Sequence, residues 1–316
     1  MLHIRVVTTP GLTGRLLERL ADLPGIRNLI VLEGAARPSG DAVFFDVDHG
    51  AANPVFRALR ALSLDHDGAV TVEQVDASLA TTTGAATAIG SPASEIAPVW
   101  EMVEAAIRGG AVYSPSFFGL LAIAGLIGAV GILTNSQILI VGAMVVGPEY
   151  GAIIAAALGI SKGQRDAIRD GMLALVVGFS AAIVLTFAFG VAVRAAGKAP
   201  APFLHGVRPV SDLINSPNWF SVVVAILAGI VGVVSLTQAR AGALIGVFIS
   251  VTTIPAAADI GLSAAFGSWN EAGGSALQLL LNVVLLIVVG AGGLSAQRAL
   301  WARRYPRERP QTCHPS

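Results

Sequence analysis

Six stretches of this chain, 117–133, 138–160, 171–193, 219–236, 241–265 and 275–294, hold no lysine, arginine or histidine and only two acids, Glu149 and Asp259. A helix needs about 20 predominantly apolar residues to cross the hydrocarbon core of a bilayer, and all six approach or exceed that length. Inside lipid every backbone N–H and C=O must be satisfied within the segment, so an isolated apolar stretch has to be helical. The chain is therefore read as a membrane bundle of six transmembrane helices. Only 13% of its residues are charged, roughly half the share usual in soluble domains.

The remaining charges are grouped. Lys162, Arg165 and Arg169 separate the second and third stretches, Arg240 separates the fourth and fifth, and Arg298, Arg303, Arg304, Arg307 and Arg309 follow the sixth. Cytoplasmic loops carry an excess of lysine and arginine. These turns and both termini are thus expected on the cytoplasmic side of a bacterial inner membrane, although Arg194, Lys198 and Arg208 dilute the bias from the opposite loop. A formal net charge of zero lacks the clustered basic surface that phosphate neutralisation needs, so nucleic acid is not an expected partner.

A pattern of apolar residues and glycines occurs twice. Gly125, Gly128 and Gly142 correspond to Gly229, Gly232 and Gly246, each pair 104 positions apart. Pro148 with Glu149 follows the first copy, and Pro255 with Asp259 follows the second after a local offset of about three residues. Each copy holds three spans, and an odd number forces the second copy to enter from the opposite side, giving two inverted three-helix repeats. Duplicated units interrupted by Gly or Pro near mid-membrane are the pattern of secondary transporters, whose sites form where the broken helices meet. Most of these glycines, in GLIG, GAVG and GIVG, are read as close-packing surface.

Ahead of the spans, residues 3–9, 27–34, 41–48 and 69–75 are rich in β-branched and apolar residues and read as strands. Leu16, Leu17, Leu20 and Leu23, after Thr13 as N-cap, mark one helix, and Val55, Phe56, Leu59 and Leu62 in 53–64 mark another. The order strand, helix, strand, strand, helix, strand predicts a small α+β ferredoxin-like (βαββαβ) soluble domain over 1–80. Such a head is expected to regulate the membrane part or to hold a homo-oligomer together. His49 and His66 fall near element ends without a metal-ligand partner. Residues 81–114 read as a linker with an interfacial helix whose stripe is Ile96, Trp100, Val103 and Ile107, leaving Glu101, Glu104 and Arg108 on other faces. The six-helix domain then occupies 115–297, and 298–316 is a basic tail. The amino terminus has no continuous apolar core followed by a small-residue cleavage site, so no secretory signal is expected.

Chemistry inside the spans rests on few residues. Pro148 removes a backbone donor and Gly147 loosens the helix beside it. Glu149 lies near the middle of that span, where a charge costs about 2.5–3.5 kcal/mol on the lenient insertion scale, so it should face the bundle interior and be paired, hydrated or protonated. A carboxyl held there suits proton or cation coupling. The fifth span offers Ser250, Thr252 and Thr253 before Pro255, with Asp259 beyond as a partner for Glu149. Asn135 and Ser136 at the turn after the first span, and Asn282 with Gln278 in the sixth, complete the candidates for a solute or ion site. No P-loop, HExxH, nucleophile elbow or paired-cysteine pattern occurs, the spans hold no histidine, and the one cysteine is Cys313. No enzymatic activity, cofactor or metal is expected.

The stretch GLIGAVGILTNSQILIVGAMVVGPEYGAIIAAALGI, taken with GALIGVFISVTTIPAA and the apolar region around Asn282, resembles the bacterial membrane proteins grouped as domain of unknown function 389. The resemblance covers about 114–297 and marks Asn135, Ser136, Gly142, Met144, Gly147 and Pro148 as motif positions. Members more often carry proline where Gln137 stands. The resemblance implies a fold and no substrate. Together these readings point to a transporter or channel for a small solute or ion; the rival is a membrane-anchored sensor or scaffold in which the head does the work.

Overall fold

The computed structural model describes residues 1–37, 39–64, 68–75, 99–205, 208–237 and 252–304. Arg240, Gly246, Ser250, His66, Ile96, the linker, Arg307, Arg309 and Cys313 lie outside them. The chain divides into two compact units, Met1–Val103 and Glu104–Ser316.

In the first unit, β1 (Leu2–Thr8), α1 (Pro10–Ala21), β2 (Ile26–Leu32), β3 (Asp41–Val47), α2 (His49–Ala61) and β4 (Ala69–Gln74) follow the predicted order. The antiparallel sheet runs β2-β3-β1-β4. Strict alternation decides its faces: Leu2, Ile4 and Val6 point inward opposite Val47, Phe45 and Val43, and all six are wholly buried with Leu16, Leu20, Val55 and Leu59 of the helices. On the other face His3 hydrogen-bonds Asp46 at 2.7 Å. The first helix starts earlier than expected. Pro10 presets the backbone at its first position and Thr9 precedes it as N-cap. Thr13 therefore lies within the helix, where its hydroxyl donates to Asp41 at 2.6 Å. The second helix likewise begins at His49 and carries Pro54 inside.

The second unit contains helices throughout its described residues. After α3 (Trp100–Gly110), whose residues from Glu104 on belong to it, come α4 (Pro115–Leu133), α5 (Gln137–Val146), α6 (Glu149–Lys162) and α7 (Arg165–Ala195). Two short helices, α8 (Ala201–Leu204) and α9 (Pro209–Ile214), lead to α10 (Trp219–Thr237), α11 (Thr253–Ala265) and α12 (Trp269–Arg304). Helices α4, α7, α10 and the stretch 269–300 are long and apolar enough to cross a membrane, and α5 with α6, bent by 51°, makes a fifth span if counted as one. Described helix in the predicted fifth span is confined to α11, 13 residues long.

The burial pattern is inverted relative to a protein in water. Gly171, Ala174, Gly178 and Ala182 of α7 are buried, while Leu173, Val176, Val177, Val184 and Leu185 are exposed. Small residues inside let backbones approach, and large apolar ones outside suit hydrocarbon as solvent. The long apolar helices suggest a membrane-embedded protein.

Helix starts keep the spacing of the glycines. Pro115 and Trp219, Glu149 and Thr253, and Arg165 and Trp269 are each 104 residues apart. Gly163 and Gly267, at the same spacing, both adopt positive φ, 68° and 79°, and the residue after each donates its N–H across the end of the helix at 2.8 Å, Gln164 to Gly159 and Ser268 to Ser263. Packing exchanges between the halves: α6 lies against α7 and α12, and α11 against α12 and α7.

Candidate functional site

The bend between α5 and α6 is local chemistry. Proline has no N–H to bond back to α5, so Gly147 turns out of the helix with φ −69° and ψ 131°, and α6 restarts after Pro148. Glu149 is the first residue of the new helix, where unbonded amides and the helix dipole favour a carboxylate. It is only 6% exposed. Its Oε1 accepts from the Thr253 hydroxyl at 2.8 Å, and Thr253 is the first residue of α11. The two residues that meet are thus the equivalent positions of the two copies, at an uncorrected spacing of 104. The three-residue offset is confined to the prolines and is not shared by the helix starts. Pro255 is the third residue of α11, in the first turn, where its missing N–H would have no helical acceptor.

The other carboxylate oxygen, Glu149 Oε2, is buried without a hydrogen-bond partner. A Cβ added to Gly147 would run into this oxygen and into Ile254, so the glycine leaves the space that the carboxylate occupies. Beside Thr253, the Thr252 hydroxyl accepts from Asn282 Nδ2 at 3.2 Å, and Asn282 Oδ1 accepts from Gln278 Nε2 at 3.2 Å. Gln278 Oε1 is buried and also unpartnered. Glu149 and Asn282 therefore meet the start of α11 through Thr253 and Thr252, with Gln278 one hydrogen bond further back on α12 and Gly147 and Pro148 shaping the bend.

Asp259 does not join them. Six residues past Thr253 is about 9 Å along a helix and on a different face. Its Oδ1 accepts from Ser211 at 2.7 Å and Ser263 at 3.2 Å, and its Oδ2 from Ser275 at 2.6 Å. That fully buried carboxylate is already supplied with donors. Ser263 also reaches Glu271 at 3.4 Å, which pairs with Arg208 at 2.5 Å. Arg208 and Arg194, which diluted the charge bias, have structural partners: Arg194 donates to the Ala265 carbonyl at the end of α11 at 3.1 Å.

Asn135 and Ser136 stand apart too. Asn135 is exposed and takes φ 55° after α4, a conformation asparagine tolerates, and Ser136 caps α5 by accepting from the Leu139 N–H at 3.5 Å. They build a turn. Most of the paired glycines are contact surface as expected: Gly128 faces Ala258, Gly229 faces Val289, and Gly232 makes room for the Tyr150 hydroxyl. A Cβ added to Gly142 would meet nothing within 4 Å.

Sequence reasoning set Glu104 off the apolar stripe of its helix. In the structure it is buried and bonded by both Lys162 and Arg298. At the other end of the same segment a Cβ on Gly151 would come 2.6 Å from the Gly110 carbonyl oxygen. Residues 104–110 thus run beside α6 rather than flat on a surface. Gly151 and the like-signed pair Lys162 and Arg298 were the signals available in the sequence.

Residues 144–288 match the family model described as Domain of unknown function (DUF389). No curated protein and no solved structure matches the chain.

Proposed function

From the match of residues 144–288 to the DUF389 family model, a description that assigns no activity, we propose that the chain is an inner-membrane transporter or channel for a small solute or ion. Six membrane crossings in two inverted three-helix repeats would surround a site where α6 and α11 begin. One observation carries the reading: a buried carboxylate at a helix break, bonded to its counterpart in the other copy and holding an oxygen without a partner. Intramembrane acids are costly and are kept where they face a pathway or a bound species. The 104-residue spacing of helix starts and the exchanged packing of α6, α7, α11 and α12 support the repeat. Asp259, held by three serines, acts in this scheme as a structural acid that ties α9, α11 and α12 together.

A flux screen in proteoliposomes across ions and small metabolites, comparing the wild type with Glu149→Gln, is the test. Flux is expected in the wild type and at least tenfold less in the variant. Equal flux in both would take Glu149 out of the mechanism.

A scaffold role in which copies pair through the head is favoured by a different observation. β2 is an edge strand, and Leu29, Ile30 and Leu32 on it are 45–54% exposed; an uncovered apolar edge invites pairing with the same edge of a second copy. Ile30→Lys is expected to lower the oligomeric state measured by light scattering in detergent. An unchanged state would dismiss this edge as an interface.

A further inference from the structure

We infer that Glu149 is a proton-binding site: it holds a proton on Oε2 while the starts of α6 and α11 lie together, and gives it up only when water reaches that oxygen. The inference deepens the transport reading and rests on it for the role of the proton, though not for its presence. The first ground is enclosure. Oε2 is buried so that a particle the size of a water molecule cannot touch it. A Cβ on Gly147 would run into both this oxygen and the Ile254 side chain, so carboxyl and isoleucine share the space that the glycine leaves. Ile254 is itself 1% exposed. An oxygen closed in beside an alkyl chain has a place for a hydrogen atom and for nothing larger.

The second ground is what the carboxyl lacks. An ionised carboxylate accepts at both oxygens, whereas the neutral acid has one O–H and a carbonyl oxygen that still accepts. Glu149 matches the neutral form: Oε1 takes the Thr253 hydroxyl and Oε2 has no donor. Asp259, as deeply buried, receives three hydroxyls. Among the described residues none of the ion pairs involves Glu149. The start of α6 offers about half a unit of positive charge, less than the full counter-charge and complete set of donors that a carboxylate away from water needs.

The third ground is the neighbourhood. Helices α4, α5 and α10 carry no charged residue. On α7, Arg165, Asp166, Arg169 and Asp170 are exposed, and Arg194 bonds the Ala265 carbonyl. Lys162, at the other end of α6, pairs with Glu104, as does Arg298 of α12; Arg108 of α3 is exposed. Glu271 of α12 is taken by Arg208, and Arg303 and Arg304 fall in the last turn of α12. The Tyr150 hydroxyl lies at Gly232. Glu149 therefore has neutral groups before it, Thr253 directly and Thr252, Asn282 and Gln278 in the chain behind. The proton comes from a hydronium ion and returns to water, and no other bond changes.

The test is infrared spectroscopy on the full chain in detergent, where the carbonyl stretch of a neutral carboxylic acid stands apart from the bands of ionised carboxylates. At about pH 7, where exposed carboxyls are ionised, the wild type is expected to show such a band, Glu149→Gln to lack it and Asp259→Asn to keep it. Raising the pH should bleach the band reversibly. Thr253→Val, which takes the donor from Oε1, should move the band to higher frequency; an unmoved band would overturn the placement of the proton on Oε2. Absence of any Glu149-dependent band, in protein that elutes as a single species by gel filtration, would overturn the inference. So would a band that Asp259→Asn removes and Glu149→Gln leaves. A pH step across proteoliposomes, followed by an enclosed dye, reads transport separately, and proton entry should be lost in Glu149→Gln. The band without proton entry or solute flux would keep this site and sink the transport reading; solute flux without the band would do the reverse.

Discussion

Gly147 and Glu149 form one device, since the glycine has no side chain where the carboxylate lies. Gly147→Ala is therefore expected to displace Glu149, to lower stability by about 1–3 kcal/mol as overpacking does, and to reduce flux, with unfolding in detergent and transport measured on the same preparation. Asp259 makes the contrasting case. Asp259→Ala strands the Ser211 and Ser275 hydroxyls, both buried, and leaves Ser263 only its longer contact with Glu271; stranded buried groups cost about 1–3 kcal/mol apiece. Its melting temperature should fall while flux through the surviving folded protein is retained; loss of flux at unchanged stability would place Asp259 in the site. Of the candidate residues, Glu149 was legible from its cost in lipid alone. Asn135 and Ser136 were read as site residues and stand apart from Glu149 in the structure, because a turn and a binding loop draw on the same polar side chains. Gln278 stood among the weaker candidates because an amide on an apolar helix gives no sign of which atom is left over.

Among the elements, α7 and α11 meet where Gly261 lies against the backbone of α7. A Cβ there would meet the Ile183 carbonyl and the Thr186 hydroxyl, and would stand 2.8 Å from the Phe187 nitrogen. Gly142, in the open on α5, has none of these neighbours. Gly261→Ala should destabilise the folded protein by about 1–3 kcal/mol, whereas Gly142→Ala should be neutral or stabilising by up to about 1 kcal/mol through helix propensity; equal effects in thermal unfolding would refute the packing account. In the head, the Thr13 hydroxyl and then the Gly34 N–H hold the Asp41 carboxyl below its ordinary 3.8. A lowered folded value means that the contribution is full above the unfolded value and is lost as pH falls through the folded one. Exchange protection of β1 and α1 in the full chain, corrected for intrinsic rates, should therefore decline below about pH 4, and Thr13→Ala should remove part of that acid dependence.

For the molecule as a whole, the proposed inversion of the two copies makes a prediction about sidedness. Arg165 and Trp269 begin α7 and α12 at equivalent positions, and Trp269 is 70% exposed. With Cys313 replaced by serine, Arg165→Cys should react with an impermeant thiol reagent only from the cytoplasmic side and Trp269→Cys only from the opposite side. Labelling of both from one side would end the inverted-repeat scheme.

What the amino-acid order determined by itself is whatever depends on local chemistry: strands where β-branched runs alternate, helices where apolar runs outlast a bilayer, a break where proline removes a donor, and a duplication visible as glycines at constant spacing. Pairings across 104 residues were beyond it, because which side chains meet depends on how helices rotate about their axes and slide past one another. Only the folded arrangement could separate the two acids, giving Asp259 three serines and leaving Glu149 with one threonine and a free oxygen, since a composition that contains both says nothing about which of them finds its donors.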